Sequence, residues 1–437
     1  MTPWRVALPA LLLLALLPAQ RARAIGSLAR GEISLQATGS LRITGAFLHY
    51  PDGAAGLLPA EGDGLAAAVA RLLLEGGLAA RVDYRANLFF ELSRSPAALG
   101  GGALATAGSF ASPYRNSRLA WDAWESGAVA GRLGLDRLSV DVHLAPLELS
   151  VGRMPLNYSV TQILTPNDLF APFSAAAINK VYKPGVDALR LNHALGPLAS
   201  LELAAVMGSD AAGVPRWAQT ALLTRASAVA WGVQWAVLGG KLAERWFVGA
   251  SLQGEAGPLG LRAEGHVGFP DIDGDGRLDA DEPQDYDSVP GRRVHLHAAA
   301  GVDHTFDWRS LNLAFEAMYL SDGGARPALY AARLARLLPD ELLYLNRMYL
   351  ALSVSGEILP ILRAAALALW NTQDLSGLAA LTLIYSAADE VDVAGGLLLP
   401  WGARSAADAG AAGAAAAIES EYGLVPLTVF VESRVYF

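Results

Sequence analysis

The carboxyl-terminal twelve residues constrain the fold most, because their side chains alternate between apolar and polar up to the final residue. One face is apolar except at Ser433 and carries Leu427, Val429, Val431, Val435 and Phe437. The other face is polar except at Phe430 and carries Thr428, Glu432, Arg434 and Tyr436. This period of two predicts a β-strand between an apolar and a polar environment. In a β-barrel that spans an outer membrane, those environments are lipid and lumen.

The first 24 residues have the pattern of a cleaved signal peptide. Arg5 precedes an apolar run over residues 6–19, and Ala-Arg-Ala at 22–24 fits a small-x-small cleavage site. A transmembrane helix needs about 20 apolar residues, so an uncleaved anchor helix is the less favoured alternative. We therefore predict export, with residues 1–24 removed and residues 25–437 forming the mature protein.

The composition of the chain excludes several classes of protein. It contains no cysteine, which excludes disulfides, thiolate metal sites and thiol catalysis. The formal charge is −9, and loss of three signal-peptide arginines makes it −9 − 3 = −12, which argues against nucleic acid as a partner. The best candidate for a spanning helix in the mature chain, residues 358–370, is short and contains Arg363. For such an exported, apolar chain, a closed barrel is the remaining structure that satisfies the backbone in lipid.

Alternation between apolar and polar residues recurs along the mature chain. Residues 81–93, 259–269 and 310–320 show it most clearly. A helix would scatter the charged residues of these segments around its whole circumference, so strands are favoured. Similar segments are 32–50, 136–144, 198–207, 293–304 and 345–355.

The connections between these segments are alternately short and long, which is typical of barrels with short periplasmic turns and long extracellular loops. Short connections occur at 145–146, 196–197, 256–258, 307–309, 356–357 and 388–389. Long connections occur near 51–77, 154–184, 270–291, 321–343 and 402–425. With both chain ends in the periplasm the strand count is even, and we predict an all-β, antiparallel transmembrane barrel of 16–18 strands, with 18 favoured. This count places residues 96–117 on the periplasmic side.

A longer motif starts with Gly152-Arg153-Met154-Pro155, continues over Thr165-Pro166-Asn167-Asp168-Leu169-Phe170-Ala171-Pro172-Phe173 and ends with Tyr182–Arg190. Together with the alternating strands and the terminal Phe437, it resembles porin-like β-barrels of Gram-negative outer membranes. The resemblance implies the fold and the outer-membrane location. For a barrel in that location we predict a channel for passive passage of small hydrophilic solutes. The alternative is a non-conducting barrel whose calcium-ordered extracellular loops bind a surface partner or ligand.

The predicted fold also implies partners. These are outer-membrane lipid and lipopolysaccharide, small solutes, and the barrel assembly machinery acting through the carboxyl-terminal strand that ends at Phe437; a homo-oligomer is compatible with it. We do not expect an enzyme, because the sequence shows no nucleophile elbow, phosphate-binding glycine loop or zinc signature.

The connection 270–291 contains an EF-type calcium loop. Counted from Asp271, carboxylates occupy positions 1, 3, 5, 9 and 12 and glycine occupies position 6. Hard oxygen ligands in this spacing favour a structural Ca²⁺ over a transition metal. The predicted ligands are Asp271, Asp273, Asp275, the carbonyl of Arg277, Asp279 and Glu282. The alternative is a solvated acidic loop.

The connection 154–184 is unusually apolar for an exposed loop, with eight large apolar or aromatic residues. They are Leu156, Tyr158, Ile163, Leu164, Leu169, Phe170, Phe173 and Ile178. We expect this segment to fold into the barrel and narrow the pore. The alternative is packing over the barrel rim or against a neighbouring subunit.

The parity of the strands predicts a lumen wall with charges of both signs. This mixture fits either a wet, weakly selective channel or an internal network of ion pairs that closes it. His295 and His297 point the same way and could form a metal pair, although lumen lining is the commoner role of such a pair. The other predicted lumen-facing residues are Arg42, Arg81, Asp83, Arg85, Glu91, Arg137, Asp141, His143, Glu148, Glu202, Arg262, Glu264, His266, Glu316, Arg347, Glu432 and Arg434.

Overall fold

The computed structural model describes residues 25–51, 62–79, 81–94, 112–172, 182–210, 212–243, 245–270, 294–330, 333, 344–404 and 418–437. The predicted signal peptide and the predicted calcium loop over residues 271–282 lie outside these residues. The described chain forms twenty β-strands: β1 (Gly26–Arg30), β2 (Ile33–His49), β3 (Gly62–Leu78), β4 (Val82–Arg94), β5 (Ala120–Ser126), β6 (Val129–Leu144), β7 (Leu147–Met154), β8 (Val186–Gly196), β9 (Ala199–Val206), β10 (Ala221–Ala230), β11 (Val233–Leu242), β12 (Arg245–Ala256), β13 (Leu259–Pro270), β14 (His295–Phe306), β15 (Leu311–Leu320), β16 (Met348–Leu359), β17 (Leu362–Asn371), β18 (Gly377–Ala388), β19 (Val391–Trp401) and β20 (Leu427–Tyr436).

Eighteen of these strands form a closed antiparallel ring. Each strand from β6 to β20 pairs with the next, β4 pairs with β6, and β20 returns to pair with β2. The two remaining strands extend the ring at its rims, because β1 pairs with the start of β2 and β5 pairs with the start of β6. The predicted all-β barrel is therefore confirmed, with the favoured count of 18 strands.

The two ends of the barrel differ in their connections. We call the end at which β2 begins and β20 ends the turn end; its connections are 79–81, 145–146, 197–198, 231–232, 257–258, 307–310, 360–361 and 389–390. We call the opposite end the loop end. β4 ends at the loop end, because it is antiparallel to β3 and its last residue, Arg94, pairs with Ala66 near the start of β3. Residues 112–117, the described part of the stretch 96–117, precede β5 at the same end, since β5 pairs with the start of β6 beside Arg94. The count that placed this stretch at the same end as Phe437 was therefore wrong.

One predicted turn was also misplaced. The turn expected at 356–357 lies inside the β16–β17 hairpin, where Glu357 pairs with Arg363 and an irregularity in the register carries the ladder on to Leu359 and Leu362. The chain reverses at 360–361. The glycine at 356 suggested a turn but is accommodated within the ladder.

The outer face of the ring is apolar. On β20, Val429 and Val431 are 47% and 43% exposed, whereas Thr428 and Glu432 are almost fully buried. Exposed tryptophans lie toward both rims, which matches the aromatic girdles of membrane barrels. They are Trp231, Trp235 and Trp308 toward the turn end, and Trp121, Trp124, Trp217, Trp370 and Trp401 toward the loop end. No helix among the described residues is long and apolar enough to cross a membrane.

The ring closes where β20 meets β2. The backbone N–H of Phe437 donates to the carbonyl of Gly39 at 2.9 Å, and the N–H of Gly39 donates back to Phe437. The aromatic ring of Phe437 occupies the space above Gly39, where an added Cβ would come within 2.2 Å of it. Because residue 39 is glycine, the ring of Phe437 can pack against β2 at this position.

Candidate functional site

Residues 155–172 lie inside the barrel, and we call them the inward segment. They follow β7 but hydrogen-bond to Glu264 on β13 and Glu316 on β15, which are five and seven strands beyond β8 around the ring. Both carboxylates are on the inner face, since Glu316 is 2% exposed while its neighbour Phe315 is 44% exposed to the outside. The contacts between distant strands therefore run across the lumen.

Glu316 binds one turn of the inward segment through its backbone. Its carboxylate accepts hydrogen bonds from the N–H groups of Gln162 at 2.7 Å, Ile163 at 2.9 Å and Leu164 at 2.7 Å. Hydrogen bonds to an ionised carboxylate are stronger than those between neutral groups. Because three successive amides converge on one side chain, Glu316 fixes both the position and the conformation of this turn.

Glu264 holds the residues on either side of that turn. It accepts from the hydroxyl of Ser159 at 2.8 Å, from the N–H groups of Val160 and Thr161, and from the N–H of Asn167 at 3.0 Å. A third carboxylate, Glu202 on β9, accepts from the phenol of Tyr158 at 2.7 Å. Burial and the nearby Glu202 raise the pKa of Tyr158, so this phenol remains a hydrogen-bond donor.

The inward segment also bridges two apolar clusters on opposite parts of the wall. Four of its side chains join a buried cluster with residues of β7 to β12: Leu156, Tyr158, Leu169 and Phe170. Leu164, which has no exposed surface, joins a second cluster with residues of β14 to β19. Burying a large apolar side chain is worth about 1.5–3 kcal/mol, so these contacts add substantially to the carboxylate anchors.

The chain returns to the wall at Tyr182, just before β8. The guanidinium groups of Arg71 and Arg137 lie 4.0 Å and 4.2 Å from the centre of its ring, and its hydroxyl contacts Asn87. The next residue, Lys183, forms an ion pair with Asp168 of the inward segment. Residues 155–172 thus cross the lumen from β7, and residues 182–185 lie against the inner face of β3, β4 and β6.

A second stretch, residues 112–119, packs against the apolar cluster that contains Phe170. Arg115 donates to the carboxylate of Asp136 at 2.7 Å, and Asp136 is fully buried and also pairs with Arg71. The ring of Tyr114 meets that of Phe170 edge-on with centres 5.1 Å apart. Residues 112–119 therefore support the inward segment on the β6–β8 side, a role that their sequence did not indicate.

Space remains beside β2, β3 and β20. A cavity of about 370 Å³ is lined there by Arg42, Arg71, Tyr182 and Arg434, among others. Glu432 lies between Arg42 and Arg434 and pairs with both. Among the described residues, several buried polar atoms of this part of the wall have no hydrogen-bond partner. They are Nε and Nη2 of Arg42, Oδ1 of Asn87, Oε2 of Glu91 and Nε of Arg137.

The predicted lumen-facing residues fall into several groups. Three form the anchors described above, three form the Arg42–Glu432–Arg434 group, and His266, His295 and His297 come together on β13 and β14. Others make local ion pairs near the turn end, such as Glu148, which pairs with Arg190 at 2.9 Å. Arg81 and Arg347 lie in connections just outside the strands. Both signs of charge are present, as predicted.

The structural comparisons agree on the fold. No protein-family model matches the chain, and no curated protein matches it in sequence. OccK11 (OpdR) of Pseudomonas aeruginosa has 9% identity and a TM-score of 0.53, and the match covers 92% of this chain and 96% of that one. A BenF-like porin from Pseudomonas fluorescens Pf-5 has 9% identity, a TM-score of 0.54 and coverage of 92% and 98%. OccK8 (OprE) of Pseudomonas aeruginosa gives 9%, 0.51 and the same coverage as the BenF-like porin. The chain has the porin fold.

Proposed function

We propose that this protein is an outer-membrane channel for the passive passage of small hydrophilic solutes, narrowed by the inward segment. The observation that carries the proposal is that residues 155–172 cross the lumen and are held there by carboxylates of the wall. The shared porin fold and the apolar outer face support the membrane location. In this arrangement the barrel forms the pore and the inward segment sets the width of the pore.

The passage runs along the inner face of β20, β2, β3 and β4. The inward segment packs against the wall from β7 round to β19, and the cavity lined by Arg42 and Arg434 lies on the remaining side. Buried polar atoms such as the Arg42 nitrogens and Glu91 Oε2 are costly unless water or a solute satisfies them. A wall of this kind suits polar solutes and disfavours apolar ones.

The sidedness of the barrel is part of the proposal. The turn end faces the periplasm and the loop end faces outward, where lipopolysaccharide surrounds the rim. The assembly machinery acts through β20 and its terminal Phe437, and the outer face is free to form a homo-oligomer. The β13–β14 connection carries the predicted Ca²⁺ ligands Asp271, Asp273, Asp275, Arg277, Asp279 and Glu282 at the loop end, where millimolar Ca²⁺ can occupy a weak site.

Liposome swelling and planar-bilayer recording with the refolded mature chain, residues 25–437, test the proposal. Small sugars and amino acids should equilibrate across the wild-type liposomes. Deleting residues 159–170 should raise single-channel conductance and admit larger sugars, whereas an equally long deletion within residues 405–417 should change neither. Absence of swelling and of conductance in the wild type would favour the non-conducting, partner-binding barrel instead.

The position of the passage can be tested separately. Arg42→Gln should shift ion selectivity toward cations, because it removes a positive charge from the cavity wall. Arg262→Gln is the matched control: Arg262 faces the lumen from β13, on the far side of the inward segment, where it pairs with Asp303. Equal effects of the two substitutions on selectivity would contradict the path along β20 and β2.

A further inference from the structure

Three histidines meet on the inner wall near the loop end. His266 lies on β13, and His295 and His297 lie at the start of β14; all three are at least nine-tenths buried. The ring of His297 is 4.9 Å from each of the other two, measured between ring centres. One nitrogen from each ring lies within 4.8 Å of the other two nitrogens. The chain contains seven histidines, and the folding of β13 against β14 gathers three of them.

Acceptors on two loops orient two of these rings. Nε2 of His297 lies 2.8 Å from Oδ1 of Asp322, and Oδ2 of Asp322 accepts from Arg333 at 2.8 Å. Nδ1 of His266 lies 3.1 Å from Oδ1 of Asn167 on the inward segment. A ring nitrogen that donates to an oxygen leaves the other nitrogen with its lone pair. A carboxylate or carbonyl oxygen in this position is the usual outer partner of a metal-binding histidine.

The wall is shaped to admit the third ring. An added Cβ at Gly268 would lie 1.9 Å from Cε1 of His295, so the imidazole of His295 occupies the space that a side chain at 268 would need. Gly268 pairs directly with His295 across the β13–β14 ladder. Glycine at this one position therefore lets three imidazoles lie together on two adjacent strands.

We propose that His266, His295 and His297 bind one divalent transition-metal ion, with Asp322 and Asn167 as the groups that orient two of the ligands. Imidazole nitrogens suit Zn²⁺, Cu²⁺, Ni²⁺ and Fe²⁺ and do not suit Ca²⁺ or Mg²⁺. Tetrahedral Zn–N bonds of about 2.0–2.1 Å place ligand nitrogens roughly 3.4 Å apart. Side-chain rotations that shorten the distances between the nitrogens by roughly 1.5 Å complete the site, and water or a solute is the fourth ligand.

An ion at this site links parts of the molecule that are distant in sequence. It joins β13 to β14 directly and reaches the inward segment through Asn167 and the β15–β16 connection through Asp322. Among the residues that the structure describes, the cations near the site are Arg333, which is paired with Asp322, and Arg245, which lies near His295. The proposal does not depend on conduction, because metal binding and solute passage are measured separately.

The test uses the refolded mature chain in detergent, freed of metal by a chelator and kept in millimolar Ca²⁺ so that the acidic loop is occupied. Calorimetric titration with Zn²⁺ should give one equivalent, and Co²⁺ should produce the visible absorption of a tetrahedral nitrogen site. His266→Gln and His297→Gln should abolish both signals, and Asp322→Asn should weaken Zn²⁺ binding about 10–100-fold. His304→Gln, at the turn end of the same strand, should leave both unchanged.

Heat-modifiable migration in gels shows which variants remain folded barrels. A wild type that binds no Zn²⁺ would overturn the proposal, as would folded His266→Gln and His297→Gln variants that keep full affinity. Binding that is lost in Asp273→Asn but kept in the histidine variants would assign the ion to the acidic loop and also overturn it. If the histidine variants do not fold, unchanged Zn²⁺ affinity in Asp322→Asn decides against the site.

Discussion

Replacing Glu316 with glutamine loosens the inward segment with little change in side-chain volume. In the wild type, Oε1 accepts from Gln162 and Oε2 accepts from both Ile163 and Leu164. A glutamine keeps one acceptor oxygen and turns the other into an NH₂ group that faces a backbone donor. At least one of the three hydrogen bonds is therefore lost, and the remaining ones become bonds between neutral groups.

The size of the effect follows from the kinds of bond involved. A hydrogen bond to a charged group contributes about 1.5–3 kcal/mol and one between neutral groups about 0.5–1.5 kcal/mol. Losing one charged bond and weakening two others should cost roughly 3 kcal/mol of docking free energy, which is about a hundredfold in the ratio of docked to undocked segment. Leu164 and Phe170 remain buried and contribute about 1.5–3 kcal/mol each, so a single substitution should open the segment intermittently.

Single-channel recording is the assay that resolves such intermittent opening. Glu316→Gln should show added conductance fluctuations above the wild-type level, and the double variant Glu264→Gln/Glu316→Gln should conduct steadily at the higher level. Glu91→Gln is the matched control, because it removes the same charge from the inner wall without touching the inward segment. The anchoring role of Glu316 would be refuted if Glu316→Gln gave the same conductance traces as the wild type, or if Glu91→Gln showed conductance fluctuations equal to those of Glu316→Gln.

Three further outcomes are expected. Chelation of Ca²⁺ should lower the melting temperature of the wild type but not of Asp273→Asn, which lacks a predicted ligand; a wild type that melts at the same temperature with and without chelator would contradict Ca²⁺ binding by this loop. Burial raises the pKa of Glu421 from 4.5 to about 8. The stability that this shift provides is complete below pH ~4.5 and is lost as the pH rises through ~8. The melting temperature of the wild type should therefore fall between pH ~5 and pH ~9, and that of Glu421→Gln should fall less. Equal wild-type melting temperatures at the two pH values would contradict the shift. Gly39→Val should reduce the yield of heat-modifiable barrel, because its Cβ meets the ring of Phe437, whereas Gly395→Ala, whose Cβ meets nothing nearer than 3.7 Å, should not; equal yields would show that the closing strand tolerates a side chain at 39.

The barrel itself was largely predictable because its physical signal is local. Alternation over β20 predicted which side chains face outward, and the structure places Val429 and Val431 outside and Thr428 and Glu432 inside. The even count followed from the alternation of connections. Two reversals were missed. The first, at 79–81, was missed because 51–77 was predicted as a long connection, whereas β3 occupies residues 62–78. The second lies at Trp231–Gly232, where both residues have positive φ, 55° and 75°. Such a two-residue turn is usually signalled by Asn-Gly or Asp-Gly, and tryptophan at its first position hid it.

The interior was less predictable because its contacts join residues far apart in the sequence. The apolar content of 154–184 suggested a segment inside the barrel, but nothing local paired it with Glu264 or Glu316. The same reason explains the histidines: the spacing of His295 and His297 indicated a pair, whereas the third ring, His266, depends on the register between β13 and β14. The rim strand β5 was missed because residues 96–117 gave no alternation to separate it from the preceding connection.

The anchoring of residues 155–172 bears on the order of assembly. Glu264 and Glu316 lie 97 to 154 residues after the backbone amides from which they accept hydrogen bonds. Strands β13 and β15 are therefore synthesised later than the segment that their carboxylates hold. Until β13 and β15 join the sheet, the segment has no carboxylates for its amides, and Leu164 lacks the cluster that it forms with residues of β14 to β19. A barrel whose assembly stops before these strands would expose the inward segment in the periplasm, with apolar side chains uncovered and backbone N–H groups unpaired. Chaperones and proteases would distinguish this intermediate from the finished protein.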